Sequence, residues 1–228
     1  MLNKLILIIF SLLLNSQFCY AKGLEDWELV KHDEMSGIDI YLRVLPGGKI
    51  EFKGITSINT SLNSIVALFD DAASMHKWLY RTEKFIVLKE LNNKEDYVYS
   101  IHSMPFPFSK RDSIVHTTIM QDLKSFLVTI RGKAKPDYLP EKRGFVRVRE
   151  VESFWSFEPQ DDGNVRIIFQ GYGDPGGRLL SSIYRSVIFR RLFKSFLWEF
   201  PYRTLKRMKS IIFENKYQTK TLSYIVEP

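Results

Sequence analysis

Four histidines are the acid–base candidates of this chain: His32, His76, His102 and His116. None forms a His-x-x-x-His or His-Glu-x-x-His pair, so the spacing offers no metal-ligating set, and no cofactor is implied. His102 and His116 fall on neighbouring predicted strands. Turned to the same side, they would bind a ligand hydroxyl or act as a titratable pair; turned apart, they are ordinary strand histidines. The carboxylates Asp137, Glu150 and Glu152 are scattered without an acid–base pattern, and no Gly-x-Ser-x-Gly elbow supports an esterase of the usual kind. Arg111-Asp112 at a strand start is either a ligand contact or an ion pair that fixes the turn after Phe108. The second reading is favoured, because adjacent strand residues point to opposite faces. Asp174-Pro175-Gly176-Gly177 stands where a phosphate-binding loop would precede a helix. It lacks the lysine and hydroxyl of a nucleotide loop and reads as a turn, with Pro175 setting φ and the glycines free to take positive φ.

The elements that must position these residues begin after a removable segment. Met1 to Lys4 is a short positive start, Leu5 to Leu14 is an apolar run broken only by Ser11, and Asn15 to Ala21 is more polar. This is the layout of a secretory leader cleaved after Ala21, with an uncleaved anchor as the alternative. The apolar run of about ten residues is too short for a span of about twenty. Cleavage removes Lys4 and Cys19, the only cysteine, leaving 32 basic against 26 acidic residues. Disulfides and thiolate chemistry are thereby excluded even in an oxidising compartment. Residues 22–228 are expected to form one domain, placed in a bacterial periplasm or another extracytoplasmic space.

The positive charge is local. From Arg178 to Lys220 there are 11 basic and 2 acidic residues, whereas Lys22 to Gly177 carries 21 basic and 23 acidic. The same stretch repeats apolar residues at Leu180, Ile183, Val187, Leu192, Phe196, Phe200, Leu205, Met208 and Ile212. That spacing predicts one amphipathic helix from about Leu179 to Phe213, launched by the turn Gly171 to Gly177. No nucleic-acid motif accompanies the charge, and an anionic membrane surface is the better partner. Arg185, Arg190, Arg191 and Lys194 are the docking candidates.

Upstream, Leu24 to Asp33 reads as a short helix, with Trp27 and Val30 on one side. Ile38–Val44 and Ile50–Ile58 form a hairpin about Pro46-Gly47-Gly48. Asn59 or Thr60 caps a helix through Leu62, Ile65, Val66 and Phe69, and Ala72–Leu79 is a second short helix. Strands are predicted over Phe85–Leu91, Asp96–Ser103, Ser113–Met120, Phe126–Arg131, Gly144–Phe157 and Val165–Gly171. The aromatic, proline-stiffened loop Met104 to Phe108 reads equally as a membrane or portal element and as a loop folded on the core. Short turns make the sheet antiparallel. A curved antiparallel sheet wrapped around a long C-terminal helix, with two short helices between early strands, follows as an α+β architecture.

Three segments taken in order resemble the START (StAR-related lipid-transfer) family: Ser109-Lys110-Arg111-Asp112, Trp155-Ser156-Phe157-Glu158-Pro159, and Tyr172-Gly173-Asp174-Pro175-Gly176-Gly177. Trp27 and Trp78 stand in keeping with them, and the likeness covers nearly all of the chain after Ala21. The resemblance implies a helix-grip fold with a tunnel between sheet and C-terminal helix holding one lipid or sterol-like molecule. Thr117 stands where some sterol-handling members carry arginine, and Leu180 where the family often has proline. Strand alternation and the helix stripe select Phe85, Val98, Tyr99, Ile101, His102, Val115, His116, Thr117, Phe169, Ile183, Val187, Leu192 and Phe196 as tunnel liners; a one-residue slip would exchange each strand's set. The expected function is non-catalytic lipid binding and transfer by a monomer, with transient docking on an anionic membrane and no nucleic-acid partner. The alternatives are a helix-grip cyclase or hydrolase acting on a hydrophobic substrate, which would need a pair such as His102 with His116, and a non-transferring lipid sensor.

Overall fold

The computed structural model describes residues 26–104, 106, 108–174 and 194–228. The expected leader, Pro175 to Gly177 and the helix positions Ile183, Arg185, Val187, Arg190, Arg191 and Leu192 lie outside the described residues.

The chain after Asp26 starts with strands. Alternation in β2 (Ile38–Val44) buries Ile38, Ile40 and Leu42 and turns Asp39, Tyr41 and Arg43 the other way. β1 (Glu28–Asp33) pairs with it antiparallel, Glu28 opposite Leu42 and Asp33 opposite Ile38. This corrects the helix expected over Leu24–Asp33. Gly37, at φ +59°, closes the turn between the two strands, and a partner already available in β2 outweighs the weak helical spacing of Trp27 and Val30. β3 (Ile50–Asn59) completes the meander.

α1 (Leu62–Asp70) is capped by Ser61, not by Asn59 or Thr60: Ser64 N–H donates to Ser61 Oγ at 3.0 Å. A 3-10 turn at Ala72–Ser74 leads into α2 (Met75–Trp78). Seven strands follow: β4 (Thr82–Asn92), β5 (Glu95–His102), β6 (Arg111–Gln121), β7 (Val128–Ala134), β8 (Val146–Arg147), β9 (Glu150–Pro159) and β10 (Asn164–Asp174). Two expectations shift here. Gly144–Phe157 is not one strand but β8, which pairs parallel with the start of β6, and β9, which pairs with β7; the chain changes partner between them. Gly171 to Asp174 belong to β10 rather than to a turn, with Gly171 opposite Phe52 on one side and Ser153 on the other. The sheet order is β1-β2-β3-β10-β9-β7-β6-β5-β4, antiparallel throughout apart from β8.

α3 (Lys194–Ile211) crosses the β2–β3 end of the sheet and touches α2. Leu205, Met208 and Ile212 are fully buried, as the stripe predicts. The approach is close because Gly54 carries no Cβ: one built there would meet Leu205 Cδ1 at 2.6 Å. Pro201 within the helix lies on the same contact. After α4 (Asn215–Gln218) the chain runs back across α1, burying Leu222 and Ile225. The packed centre is aromatic. Trp155 stacks on Phe169 with centroids 3.8 Å apart and meets the edge of Phe69 at 5.0 Å. The molecule is an α+β helix-grip fold.

Candidate functional site: an internal cavity with two polar ends

The sheet curves more strongly than α2 and α3 can fill, and a cavity of about 620 Å³ remains between them. Much of its wall is apolar, formed by Phe85 and Val87 of β4, Val98 of β5, Val115 and Ile119 of β6, Ile130 of β7, Trp155 of β9 and Phe169 of β10. Met75, Trp78, Leu197 and Phe200 close it from the helical side. The strand register explains the set: Val98 pairs with Val115, and Ile130 with Trp155, so cross-strand neighbours share one face.

β5 sets the length. From Asp96 to His102 it advances six residues, about 20 Å at strand rise. At the His102 end, Ser100 Oγ lies 2.8 Å from His102 Nε2 and 2.7 Å from Ser113 Oγ, and Thr82 Oγ1 lies 3.2 Å from Nδ1. Burial holds His102 down at about 4, so the ring is neutral at physiological pH. Arg111, opposite His102 in the register, lines this end and donates through Nη1 to the Ser109 carbonyl. Arg81 lines it too. At the other end lie Asp70, Glu90 and Asp96. Burial raises the pKa of Asp96 against the opposing hydrogen bond from Thr117, and Asp70 and Glu90 raise it further. Burial likewise raises Asp70, which accepts a 2.5 Å hydrogen bond from Tyr224. The cavity is therefore apolar over much of its wall, with His102, Ser100 and Arg111 towards one end of β5 and Asp70, Glu90 and Asp96 towards the other.

Of the candidate liners among the described residues, Phe85, Val98, His102, Val115, Thr117 and Phe169 are brought together on the cavity wall. Tyr99, Ile101 and His116 are not. Each stands one residue out of phase with that wall and faces the outer side of the sheet. Tyr99 is buried there beneath Lys142, and His116 contacts Glu95 at 2.6 Å and stacks on Tyr97. His102 and His116 thus lie on opposite faces, and the pair offered as an example for the enzymatic alternative does not form. Phe196 and Lys194 fall in the first turn of α3. Ser100 beside His102 has the spacing of a nucleophile with its base. A ring held near 4 by burial nevertheless resists the imidazolium that general-base catalysis must create.

Arg111 and Asp112 do point to opposite faces, yet they do not pair with each other. Asp112 accepts from Arg147 Nε at 3.1 Å and Nη2 at 2.9 Å, both side chains fully buried on the outer face. Arg147 also donates to the carbonyls of Pro136, Leu139 and Pro140, so it holds the whole loop between β7 and β8. Sequence reading missed Arg147, whose partner lies 35 residues away. It also missed Ser100 and Ser113, although both stand two residues from a selected valine and share its phase. Phe106, in the loop between β5 and β6, is almost wholly exposed, while Met104 and Phe108 line the cavity.

Comparison with known proteins gives the same architecture. The family model described as START domain matches residues 22–199. An uncharacterised protein of Pseudomonas aeruginosa is 29% identical over 187 residues, covering 82% of this chain and 86% of its own. The phosphatidylcholine transfer protein of Rattus norvegicus is 29% identical over 168 residues, covering 68% and 73%. Among solved structures, a STAR-related lipid transfer protein from Xanthomonas axonopodis is 30% identical, with a TM-score of 0.70 over 82% of this chain and 99% of its own. Human StAR-related lipid transfer protein 5, at 14% identity and a TM-score of 0.66 over 92% and 95%, shares the fold. With a family match across most of its length and a cavity between sheet and C-terminal helix, this chain belongs to the START domain family.

Proposed function

We propose that this protein binds one lipid molecule in the internal cavity and carries it between membranes without altering it. The observation that carries the reading is the cavity: about 620 Å³ of space walled largely by Val, Ile, Phe and Trp, with polar groups interspersed among them. That size lies within the range of about 300–1,000 Å³ for sites that enclose one small ligand. Each methylene moved from water to such a wall gains about 0.8 kcal/mol. Neutral His102 with Ser100 and Ser113 would orient a polar head by hydrogen bonds, and the nearby guanidinium of Arg111 favours an anionic or carbonyl oxygen there. The names of the relatives, lipid transfer and phosphatidylcholine transfer proteins, support the same class of cargo.

In this reading the N-terminal segment acts as a secretory leader and would direct the protein beyond the inner membrane, to the periplasm. The basic C-terminal stretch, with Arg185, Arg190, Arg191 and Lys194, would dock it transiently on anionic lipid, each cation adding about 1 kcal/mol at the surface. Arg203 and Lys206 of α3 continue that charge and are more than half exposed. The test is transfer of a fluorescent phosphatidylcholine from donor to acceptor vesicles. Transfer should rise in proportion to protein and quicken when the acceptor contains phosphatidylglycerol. Reversal of Arg190, Arg191 and Lys194 to glutamate should abolish that anionic-lipid effect while binding capacity stays. A protein that leaves the transfer rate at its spontaneous value contradicts the reading.

A further inference from the structure

The segment after α4 contributes to the cavity wall through Tyr224. After α4, residues Thr219–Pro228 lie across α1 and the end of β6, beyond the stretch matched by the family model. The Glu227 carboxylate accepts from the backbone N–H groups of Leu62 (3.1 Å) and Asn63 (2.7 Å) and from Asn63 Nδ2 (2.7 Å). It thereby satisfies donors that the first turn of α1 would otherwise leave open, at the end of the helix where negative charge is favoured. Leu222 N–H donates to Asn63 Oδ1 at 2.7 Å, and the Gln121 amide bonds both the N–H and the carbonyl of Val226. Tyr224, between these anchors, donates to Asp70 and lines the cavity at its carboxylate end, beside Asp96 and the β4–β5 turn at Asn92-Asn93.

The strap differs from the rest of the wall in how it is held. Elsewhere the wall is sheet, each strand secured by a ladder of backbone hydrogen bonds, together with residues of the helices α1, α2 and α3. The cross-contacts of the strap run through single side chains, with two apolar anchors, Leu222 and Ile225. A segment of that kind opens at lower free energy than the sheet and leaves without disturbing any strand pair. We propose that residues 219–228 are a releasable strap, with Tyr224 as its stopper, closing a passage into the cavity between α1 and the β4–β5 turn. The passage lies about 20 Å along β5 from the His102 end. This inference rests on the lipid-binding reading for its cargo but not for its geometry.

The full chain with Cys19→Ser has no thiol, so a cysteine pair Gln121→Cys and Val226→Cys can be joined selectively by a short bis-maleimide. Two readouts apply: release of preloaded fluorescent phosphatidylcholine to acceptor vesicles, and acrylamide quenching of the cavity-wall residues Trp78 and Trp155 in a Trp27→Phe, Trp198→Phe background. We expect joining to slow release and quenching at least threefold. Tyr224→Ala and Glu227→Gln, which leave the sheet intact, should each speed both by a similar factor. Release and quenching that are unchanged by joining and by both substitutions would overturn the proposal. A protein that takes up no lipid would contradict the lipid-binding reading, and quenching would then decide the strap alone.

Discussion

The two faces of β5 and β6 are built from alternate residues of the same strands and end in opposite states. On the outer face, Asp112 and Arg147 satisfy each other bidentately, three carbonyls take the remaining guanidinium donors, and Tyr97 is sandwiched between His116 and Tyr138. Protein covers protein there. On the inner face, Val98, Val115 and Ile119 look across open space. A buried charge finds its partner within the chain, whereas the apolar wall opposite has none of matching size. The difference separates residues that hold the fold from residues that await a guest.

The largest effect should come from the outer face. Asp112→Ala strands the Arg147 charge in a buried site and should cost about 3–5 kcal/mol in urea unfolding. Replacing both partners by apolar residues, as Asp112→Leu with Arg147→Met, should recover most of that loss. The inner face predicts a pH effect. The His102 ring titrates near 4 in the folded state and near its ordinary 6.5 when unfolded, so below 6.5 the unfolded chain binds the extra proton. Its contribution is complete above pH 6.5 and is lost as pH falls towards 4, about 3 kcal/mol at the shift's full extent. Comparing denaturant midpoints of the wild type and His102→Gln at pH 7 and pH 4.5 checks the sign: only the wild type should lose this component. Val115→Trp, which fills the space of several methylenes, should weaken lipid retention by about 2 kcal/mol with the sheet intact by circular dichroism. The smallest effect is His116→Ala on the outer face, under about 1 kcal/mol of stability, because its partner Glu95 is one-third exposed. Lipid retention there should not move; a loss as large as that of Val115→Trp would erase the contrast between the faces.

Much of this was legible in the residues. Ile38, Ile40 and Leu42 mark their strand by alternation, and Leu205 and Met208, with Ile212 just after the helix, mark the buried side of α3. The three START-like segments point to the family. What the sequence hides is phase and partnership. Val98, Tyr99 and Ile101 are all apolar enough for a cavity, and only the pairing of Val98 with Val115 shows which face each takes. Trp27 and Val30 stand three residues apart, a helical spacing, although Val30 sits at the register shift of β1 between Leu29 and Lys31. Arg147 and Tyr224 act across 35 and 154 residues of chain, distances over which no local pattern carries information.

Native mass spectrometry of the protein purified from its own host tests the central claim most directly. The account predicts a folded species heavier than the polypeptide by one lipid, with that lipid recovered by organic extraction and largely absent from Val115→Trp. A folded wild-type protein that carries only its own mass, and yields no lipid on extraction, would contradict it.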